Sequence, residues 1–80
     1  MSTPVDDLTR VLRRMVDRPD DVLVTQYEHG RSQILEASMA PEDMGKVIGR
    51  QGRTVAALRA LLRVRGGRRG ERYELDILDE

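Results

Sequence analysis

The sequence contains no cysteine, tryptophan or phenylalanine, and only two tyrosines, among its 80 residues. Without cysteine there can be no disulfide, thiol nucleophile or cysteine-ligated zinc site, and the absence fits a reducing compartment. The scarcity of aromatic side chains excludes nucleic-acid surfaces on which several bases stack against aromatic rings. The chain therefore depends on aliphatic packing for its core and on charge for its surface chemistry.

Long apolar segments are also missing. No apolar run exceeds four residues, and the N-terminus has neither the basic nor the apolar region of a signal peptide. At 80 residues the chain has room for one small core. We expect a single domain over residues 1–80, located in the cytoplasm and without membrane contact.

Catalytic and metal-ligating residue types are sparse. The one histidine, His29, falls in a predicted turn where no nucleophile is available for it to activate. Acidic residues occur mainly as neighbouring pairs, whose side chains diverge in a helix, and no phosphate-binding P-loop motif is present. The sequence predicts neither an enzyme nor a bound cofactor or metal.

The net charge is zero, but the charges are segregated along the chain. Residues 45–70 hold one lysine and seven arginines without a single carboxylate, whereas residues 1–44 and 71–80 each carry a net charge of −4. A localised positive segment attracts polyanions such as nucleic acids. The alternative interpretation is a solvated helix face whose acidic partners lie elsewhere.

Periodicity predicts the order α-β-β-α-α-β, an α+β fold with a three-stranded sheet and three helices packed on one face. Ser2 or Thr3 is expected to cap the first helix, and Gly66-Gly67 to end the last one, leaving 66–70 as a flexible basic loop. The first two strands should form an antiparallel hairpin. The predicted elements are a helix ending at Pro19, strands over 22–28 and 32–39, helices over 41–48 and 53–64, and a strand over 73–77.

The most informative segment, residues 45–55, contains Gly49-Arg50-Gln51-Gly52 between two predicted helices. Glycine permits a tight turn and lets a ligand backbone approach closely. The free N–H groups at the start of the next helix favour an anion, and Arg50 and Arg53 supply charge that pairs with phosphate. The competing interpretation is a tight helix–helix connection with incidental arginines.

Val47-Ile48-Gly49-Arg50-Gln51-Gly52 resembles the V-I-G-x-x-G core of the KH domain, a fold that binds RNA and other single strands. The helix and strand before the β-α-α-β unit imply the type II arrangement. A domain of this length with this loop and with Ala-Leu-Arg-Ala-Leu over 57–61 resembles the bacterial KH domain protein A family. An arginine-rich segment over 63–69 departs from that family pattern.

The resemblance implies a cytoplasmic RNA-binding protein that acts as an RNA chaperone. It also implies pairing with itself or with a KH domain protein B (Jag-type) partner, and a link to cell shape, peptidoglycan homeostasis and so to cell wall biogenesis. The candidate RNA-binding residues are the loop, its flanks and two later arginines: Lys46, Val47, Ile48, Gly49, Arg50, Gln51, Gly52, Arg53, Thr54, Arg68 and Arg69. 

Leu35 and Ala37 join Val47 and Ile48 as candidates for an apolar groove wall, although core packing explains each of them equally well. A second class of function also stays open. The chain could be a protein-interaction or dimerisation module whose G-x-x-G surface contacts a protein, with RNA bound mainly by that partner. The residues do not decide between RNA and single-stranded DNA, or between a homodimer and a heterodimer.

Overall fold

Three helices and three strands follow one another in the predicted order α-β-β-α-α-β in the computed structural model, which describes residues 3–78 except the side chain of Arg69. Short 3-10 turns precede β1, α2 and α3. The elements are α1 (Pro4–Met15), β1 (Leu23–His29), β2 (Ser32–Ser38), α2 (Met44–Ile48), α3 (Arg53–Arg69) and β3 (Arg72–Ile77).

The first helix begins at a capping box, in which two side chains satisfy backbone donors that the helix leaves unpaired. The Thr3 hydroxyl accepts a hydrogen bond from the Asp6 amide at 3.1 Å, and the Asp6 carboxylate accepts one from the Thr3 amide at 3.3 Å. Thr3 is therefore the cap, and the alternative, Ser2, lies outside the described residues. Leu8 and Leu12 place the buried side of α1 against the sheet.

The sheet has the strand order β1-β2-β3. β1 and β2 pair antiparallel as the predicted hairpin, and β2 and β3 pair parallel, with α2 and α3 in the connection between them. Leu35 in the central strand lies opposite Gln26 on one side and Leu75 on the other. The β-α-α-β unit therefore runs from the middle of the sheet to its edge, which leaves one side of β3 unpaired.

The core lies on one face of this sheet. Leu35 and Ala37 are completely buried in the central strand. From the helices, six buried side chains close over them: Leu8, Leu12, Val47, Val55, Leu58 and Leu62. This arrangement confirms the α+β prediction of a three-stranded sheet with its helices on a single face.

The prediction that the last helix ends at Gly66-Gly67 is wrong, because α3 continues to Arg69. A Cβ on Gly66 would lie 2.5 Å from the Glu71 carbonyl oxygen and 2.9 Å from the Tyr73 ring, so glycine here allows the helix to pack closely against the chain that enters β3. The helix ends one turn later at Gly70, which has φ +69°. There the Glu71 amide donates a hydrogen bond to the Gly66 carbonyl at 2.8 Å, and the Gly70 amide donates one to the Gly67 carbonyl at 3.3 Å. This is a Schellman ending, which favours glycine at the left-handed position.

A buried carboxylate, Asp43, joins the end of α1 to the start of α2. Its oxygens accept hydrogen bonds from the Arg18 amide at 3.0 Å, the Asp17 amide at 3.2 Å and the Lys46 ammonium at 3.1 Å. Burial disfavours the charged form, but the two amides and the ammonium outweigh it, and the pKa of Asp43 lies below its ordinary value. The charge on Asp43 therefore holds in place the helix that leads into the G-x-x-G loop.

We expect Asp43→Asn to lower the Tm by on the order of 10 °C at pH 7, because an amide cannot accept from three donors at once. Since the folded-state pKa is depressed, the stabilisation is complete above about pH 4 and is lost as the pH falls through the folded value. The variant should lose this part of the acid dependence, measured by thermal unfolding between pH 2 and pH 7. Glu42→Gln is the control, because the Glu42 carboxylate is exposed and interacts only with its own backbone amide and with the exposed Arg18. Equal Tm values for the two variants would contradict the role given to Asp43.

Candidate nucleic-acid interface

The loop between α2 and α3 has a backbone that few residues can adopt. Gly49 ends α2 with φ +79° and ψ 168°, a region open only to glycine. Gln51 follows with φ +58°, the only positive φ at a non-glycine residue in the described part of the chain, and Gly52 has φ +71°. The Gly52 amide closes the turn by donating to the Gly49 carbonyl at 3.1 Å. Gln51 is therefore held in a left-handed, exposed position at the tip of the loop.

The two loop glycines are needed for different reasons. A Cβ on Gly49 would lie 2.7 Å from the Thr54 Cβ and 2.9 Å from the Thr54 nitrogen, whereas one on Gly52 would meet no atom within 4 Å. Gly49 thus allows the loop to fold back onto the first turn of α3. Gly52 keeps the outer side of the loop free of a side chain, where a ligand backbone can approach.

The N-terminus of α3 is directed toward this loop and has no side-chain cap. The first-turn amides of a 17-residue helix, together with its dipole, favour an anion at such an end. Arg50 and Arg53 are exposed, and neither has an ion-pair partner among residues 3–78. The loop thus combines a helix N-terminus that lacks a side-chain cap with two arginines that are available to pair with phosphate.

The structure separates the other predicted loop residues into two groups. Ile48 is 38% exposed and Thr54 packs against Gly49, so both belong to the loop surface. Val47 is completely buried in the core. Lys46 forms ion pairs with Asp17 and Asp43, which raise its pKa, Asp17 contributing most. Val47 and Lys46 therefore support the helix that carries the loop, and a direct contact of either with RNA stays a prediction.

Sequence reasoning did not find the cleft that opens between α3 and the unpaired edge of β3. It has a volume of about 570 Å³, and its lining is Arg59, Arg63, Arg72, Tyr73, Glu74 and Leu75. The Arg59 guanidinium donates to the Leu75 carbonyl through Nε and Nη2, both at 3.3 Å. The signal that the sequence offered for this cleft is the spacing of Arg59 and Arg63, which are four residues apart on α3. The cleft begins about 9 Å along α3 from Arg53, so loop and cleft lie along one helix.

Arg68 and Arg69 lie in the last turn of α3, about 24 Å from the loop end of that helix. Arg68 is exposed and has no ion-pair partner within the described residues, while the side chain of Arg69 lies outside them. In the same segment, Arg65 pairs with Asp7 of α1. The structure therefore places Arg68 and Arg69 at a second location, separate from the G-x-x-G loop.

Two other kinds of site are absent from residues 3–78. No helix in this range is long and apolar enough to cross a membrane. The same residues contain no group of three histidine, cysteine, aspartate or glutamate side chains that could hold a metal ion. The candidate nucleic-acid interface is the positive loop together with the cleft beside it.

Comparison with known proteins places this geometry in a family. The chain matches the family model described as KhpA/KhpB, KH domain, over residues 5–77. The RNA-binding protein KhpA of Halalkalibacterium halodurans is 44% identical, over 99% of this chain and 100% of that protein. RNA-binding protein KhpA of Mycobacterium leprae is 49% identical, over 99% and 96% of the two chains, and that of Chlamydia pneumoniae is 37% identical, over 91% and 94%.

No solved structure matched the chain. The family assignment therefore depends on the sequence matches, which include the loop and both helices around it. The agreement of these matches with the α-β-β-α-α-β order shows that the chain belongs to the KhpA/KhpB family of KH domains.

Proposed function

We propose that this protein binds single-stranded RNA by gripping its phosphate backbone with the Gly49-Arg50-Gln51-Gly52 loop. The observation that carries the proposal is the N-terminus of α3, which has no side-chain cap. It lies beside two glycines and two arginines that have no ion-pair partner among residues 3–78. KH domains hold about four nucleotides in this manner. Several of the relatives that the chain matches are named RNA-binding proteins, which supports the same conclusion.

The α3/β3 cleft is the path that we propose for the bases of a bound strand. Arg59, Arg63 and Arg72 surround it, and the edge of β3 offers backbone groups to base edges. Aromatic stacking contributes little, because one tyrosine is exposed elsewhere and the other is buried. Binding should therefore depend mainly on phosphate contacts and be weak and sensitive to salt.

The experiment that tests this function is a fluorescence anisotropy titration with a labelled 12-nucleotide single-stranded RNA at 50 and 200 mM salt. We expect saturable binding that weakens with salt, and weaker binding to a duplex of the same sequence. A single-stranded DNA of that sequence shows whether the 2′-hydroxyl contributes. If the RNA does not bind at 50 mM salt, the proposed function is wrong, and the protein-interaction module becomes the better explanation.

Neutralising the last turn of α3 tests the second location of positive charge. We expect Arg68→Gln/Arg69→Gln to weaken binding of all RNA sequences about equally and to flatten the salt dependence by up to roughly one unit of slope per lost phosphate contact. The measurement is a salt series with two unrelated sequences of 20 nucleotides. A change in sequence preference at an unchanged slope would show that these residues read bases instead.

We further propose that the protein acts as a homodimer or as a heterodimer with a second KH protein of the Jag type. An open apolar cavity of about 210 Å³ lies between α1 and α3, and Val11 and Leu61 border it at 42% and 66% exposure. An exposed apolar surface of this kind is typical of an interaction site, and a partner that covered it would bury apolar area that a domain of this size cannot bury alone. Two linked sites would also raise apparent affinity by about 10²–10⁴ without new contacts.

Light scattering with and without RNA, together with an oligonucleotide length series, tests this assembly. We expect a dimeric mass and clearly tighter binding to RNA of ten or more nucleotides than to four. Leu61→Asp should shift the mass toward the monomer and reduce the advantage of long RNA. A monomer whose affinity is flat from four to twenty nucleotides, with no KH partner recovered from cells, would contradict the proposal.

In the cell, we propose a cytoplasmic RNA chaperone whose action is linked to cell shape and peptidoglycan homeostasis. Weak, salt-sensitive contacts suit a chaperone, because they let the protein release RNA after its structure has changed. Acceleration of strand annealing at catalytic amounts of protein is the expected result in solution. Unchanged cell length after deletion of the coding sequence would remove the link to cell shape.

A further inference from the structure

No helix among residues 3–78 covers the face of the sheet opposite the core, although neighbouring side chains leave Ile34 on this face only 7% exposed. Pairing register places Tyr27 opposite Ile34 and Ile34 opposite Glu74, so one row of this open face is aromatic, aliphatic and acidic. Leu23 on the same face is 60% exposed and Tyr27 is 43% exposed, values that are high for large apolar side chains. An open face of this composition is a candidate interaction surface, separate from the loop and from the α1/α3 cavity.

Carboxylates border the apolar residues of the open face. Glu36 and Asp76 lie opposite one another on β2 and β3, in the row next to Tyr27. Partial burial raises the pKa of the Tyr27 hydroxyl, and the charges of Glu36, Asp76 and Glu74 raise it further. Tyr27, which is 43% exposed, therefore lies near three carboxylates, at a place that favours a cation.

This charge disfavours two occupants. Glu36 and Asp76 repel RNA. An isologous contact with a second copy is disfavoured as well, because it would bring these two carboxylates and Glu74 of both copies together. The one arginine of the open face, Arg72, lies at the opposite end of β3 from Asp76, beside Ser32. The acidic and apolar part of the face therefore has no internal cation in register with it.

We propose that the open face, defined by Leu23, Tyr27, Ile34, Glu36, Glu74 and Asp76, is a docking surface for an amphipathic basic helix of a partner protein. Three strands are about 10–14 Å wide and six residues about 20 Å long, which matches a helix about 10 Å across and some 13 residues long. The apolar stripe of such a helix would lie over Leu23, Tyr27 and Ile34. Its arginines or lysines would reach Glu36 and Asp76 and the ring of Tyr27.

The consequence is that RNA and a basic protein bind to different faces of one domain. The loop and the α3/β3 cleft serve RNA, whereas the open face is directed away from the helices that carry the loop. A domain arranged in this way can join an RNA to a basic protein, with Arg72 and Glu74 at the border between the two surfaces.

The probe is a synthetic 16-residue helix with leucine at positions i, i+3, i+4 and i+7 and arginine on both flanks, titrated into the ¹⁵N-labelled full chain. We expect amide shifts in β1, β2 and β3 that centre on Tyr27 and Glu36. Glu36→Gln/Asp76→Asn should weaken the peptide at least tenfold, while RNA affinity stays unchanged. Glu74 is left intact in this test because it also borders the α3/β3 cleft.

Two controls separate docking from general charge attraction. Asp20→Asn/Glu28→Gln removes the same charge from exposed positions outside the open face and should leave peptide affinity unchanged. A peptide with citrulline in place of arginine should bind at least tenfold more weakly. Tyr27→Ser should weaken the arginine peptide as well, since it removes both apolar area and the aromatic ring.

Several outcomes would overturn the proposal. One such outcome is that the peptide shifts amides of the α1/α3 cavity or of the loop. Another is that Glu36→Gln/Asp76→Asn and Asp20→Asn/Glu28→Gln weaken peptide binding equally. Sedimentation of the unliganded chain gives a third: if Glu36→Gln/Asp76→Asn lowers its oligomeric mass, the occupant is a second copy and the assignment to a partner helix is wrong. RNA binding is measured on the same samples, so failure here is distinguishable from failure of the proposed RNA function.

Discussion

Replacing Arg50 and Gln51 with aspartate is expected to lower the affinity for a short single-stranded RNA at least tenfold, about 1.4 kcal/mol. The two new carboxylates would lie where a phosphate oxygen must approach the amides of α3. Both positions are exposed, and Gln51 has φ +58°, a conformation that aspartate tolerates better than most residues. The Tm should therefore change little, and anisotropy titrations at two salt concentrations measure the loss.

The control for this variant removes the same amount of positive charge elsewhere. Arg10→Glu/Arg31→Ser also shifts the net charge by three units, at exposed positions in α1 and in the β1–β2 turn. We expect a reduction in RNA affinity that is several-fold smaller. Equal losses in both variants would mean that RNA responds only to net charge, and an unchanged affinity in the folded loop variant would refute the loop as the phosphate site.

Gly49→Ala should destabilise the domain by about 2–3 kcal/mol and abolish most RNA binding. The alanine would have to keep φ +79° or force the Thr54 backbone away, because its Cβ would lie 2.9 Å from the Thr54 nitrogen. Either response changes the position of the loop relative to the first turn of α3. Chemical denaturation gives the free energy of unfolding, and anisotropy gives the RNA affinity.

Gly52→Ala is the matched variant, three residues away in the same loop. It has nearly the same positive φ, +71°, but open space around its Cβ, so it should lose only about 1 kcal/mol of stability. The difference between the two variants reports the contact with Thr54 together with the higher backbone cost at Gly49, whose ψ of 168° lies outside the left-handed region that Gly52 occupies with ψ 16°. Equal destabilisation by both would show that this contact does not hold the loop.

The features that could be predicted from the sequence are those governed by local rules. Pro4 after Thr3 and the period of Leu8 and Leu12 predict α1, and alternation predicts β2 and β3 with one face buried. Gly49 and Gly52, placed between two helices inside a segment without acids, predict the loop. Membership of a KH-domain family agrees with the prediction that the chain is not an enzyme.

The features that could not be predicted depend on contacts between distant residues. Gly66 looks like a helix end in the sequence, but its place against Tyr73 is set by packing of α3 on β3. Lys46 looks like a phosphate ligand, but the fold brings it to Asp17, 29 residues earlier in the chain. The α3/β3 cleft can be predicted only when the order of the strands is known, because that order decides that β3 lies at an edge of the sheet.

The central claim is that RNA is held by the G-x-x-G loop and the cleft beside it. Titration of the ¹⁵N-labelled chain with an eight-nucleotide single-stranded RNA tests this most directly. The predicted result is that the largest amide shifts occur at residues 49–54, with further shifts along α3 and β3 at Arg59, Arg63 and Arg72, and none on Tyr27 or Glu36. Shifts confined to α1, or to the last turn of α3, with residues 49–54 unchanged, would contradict the account.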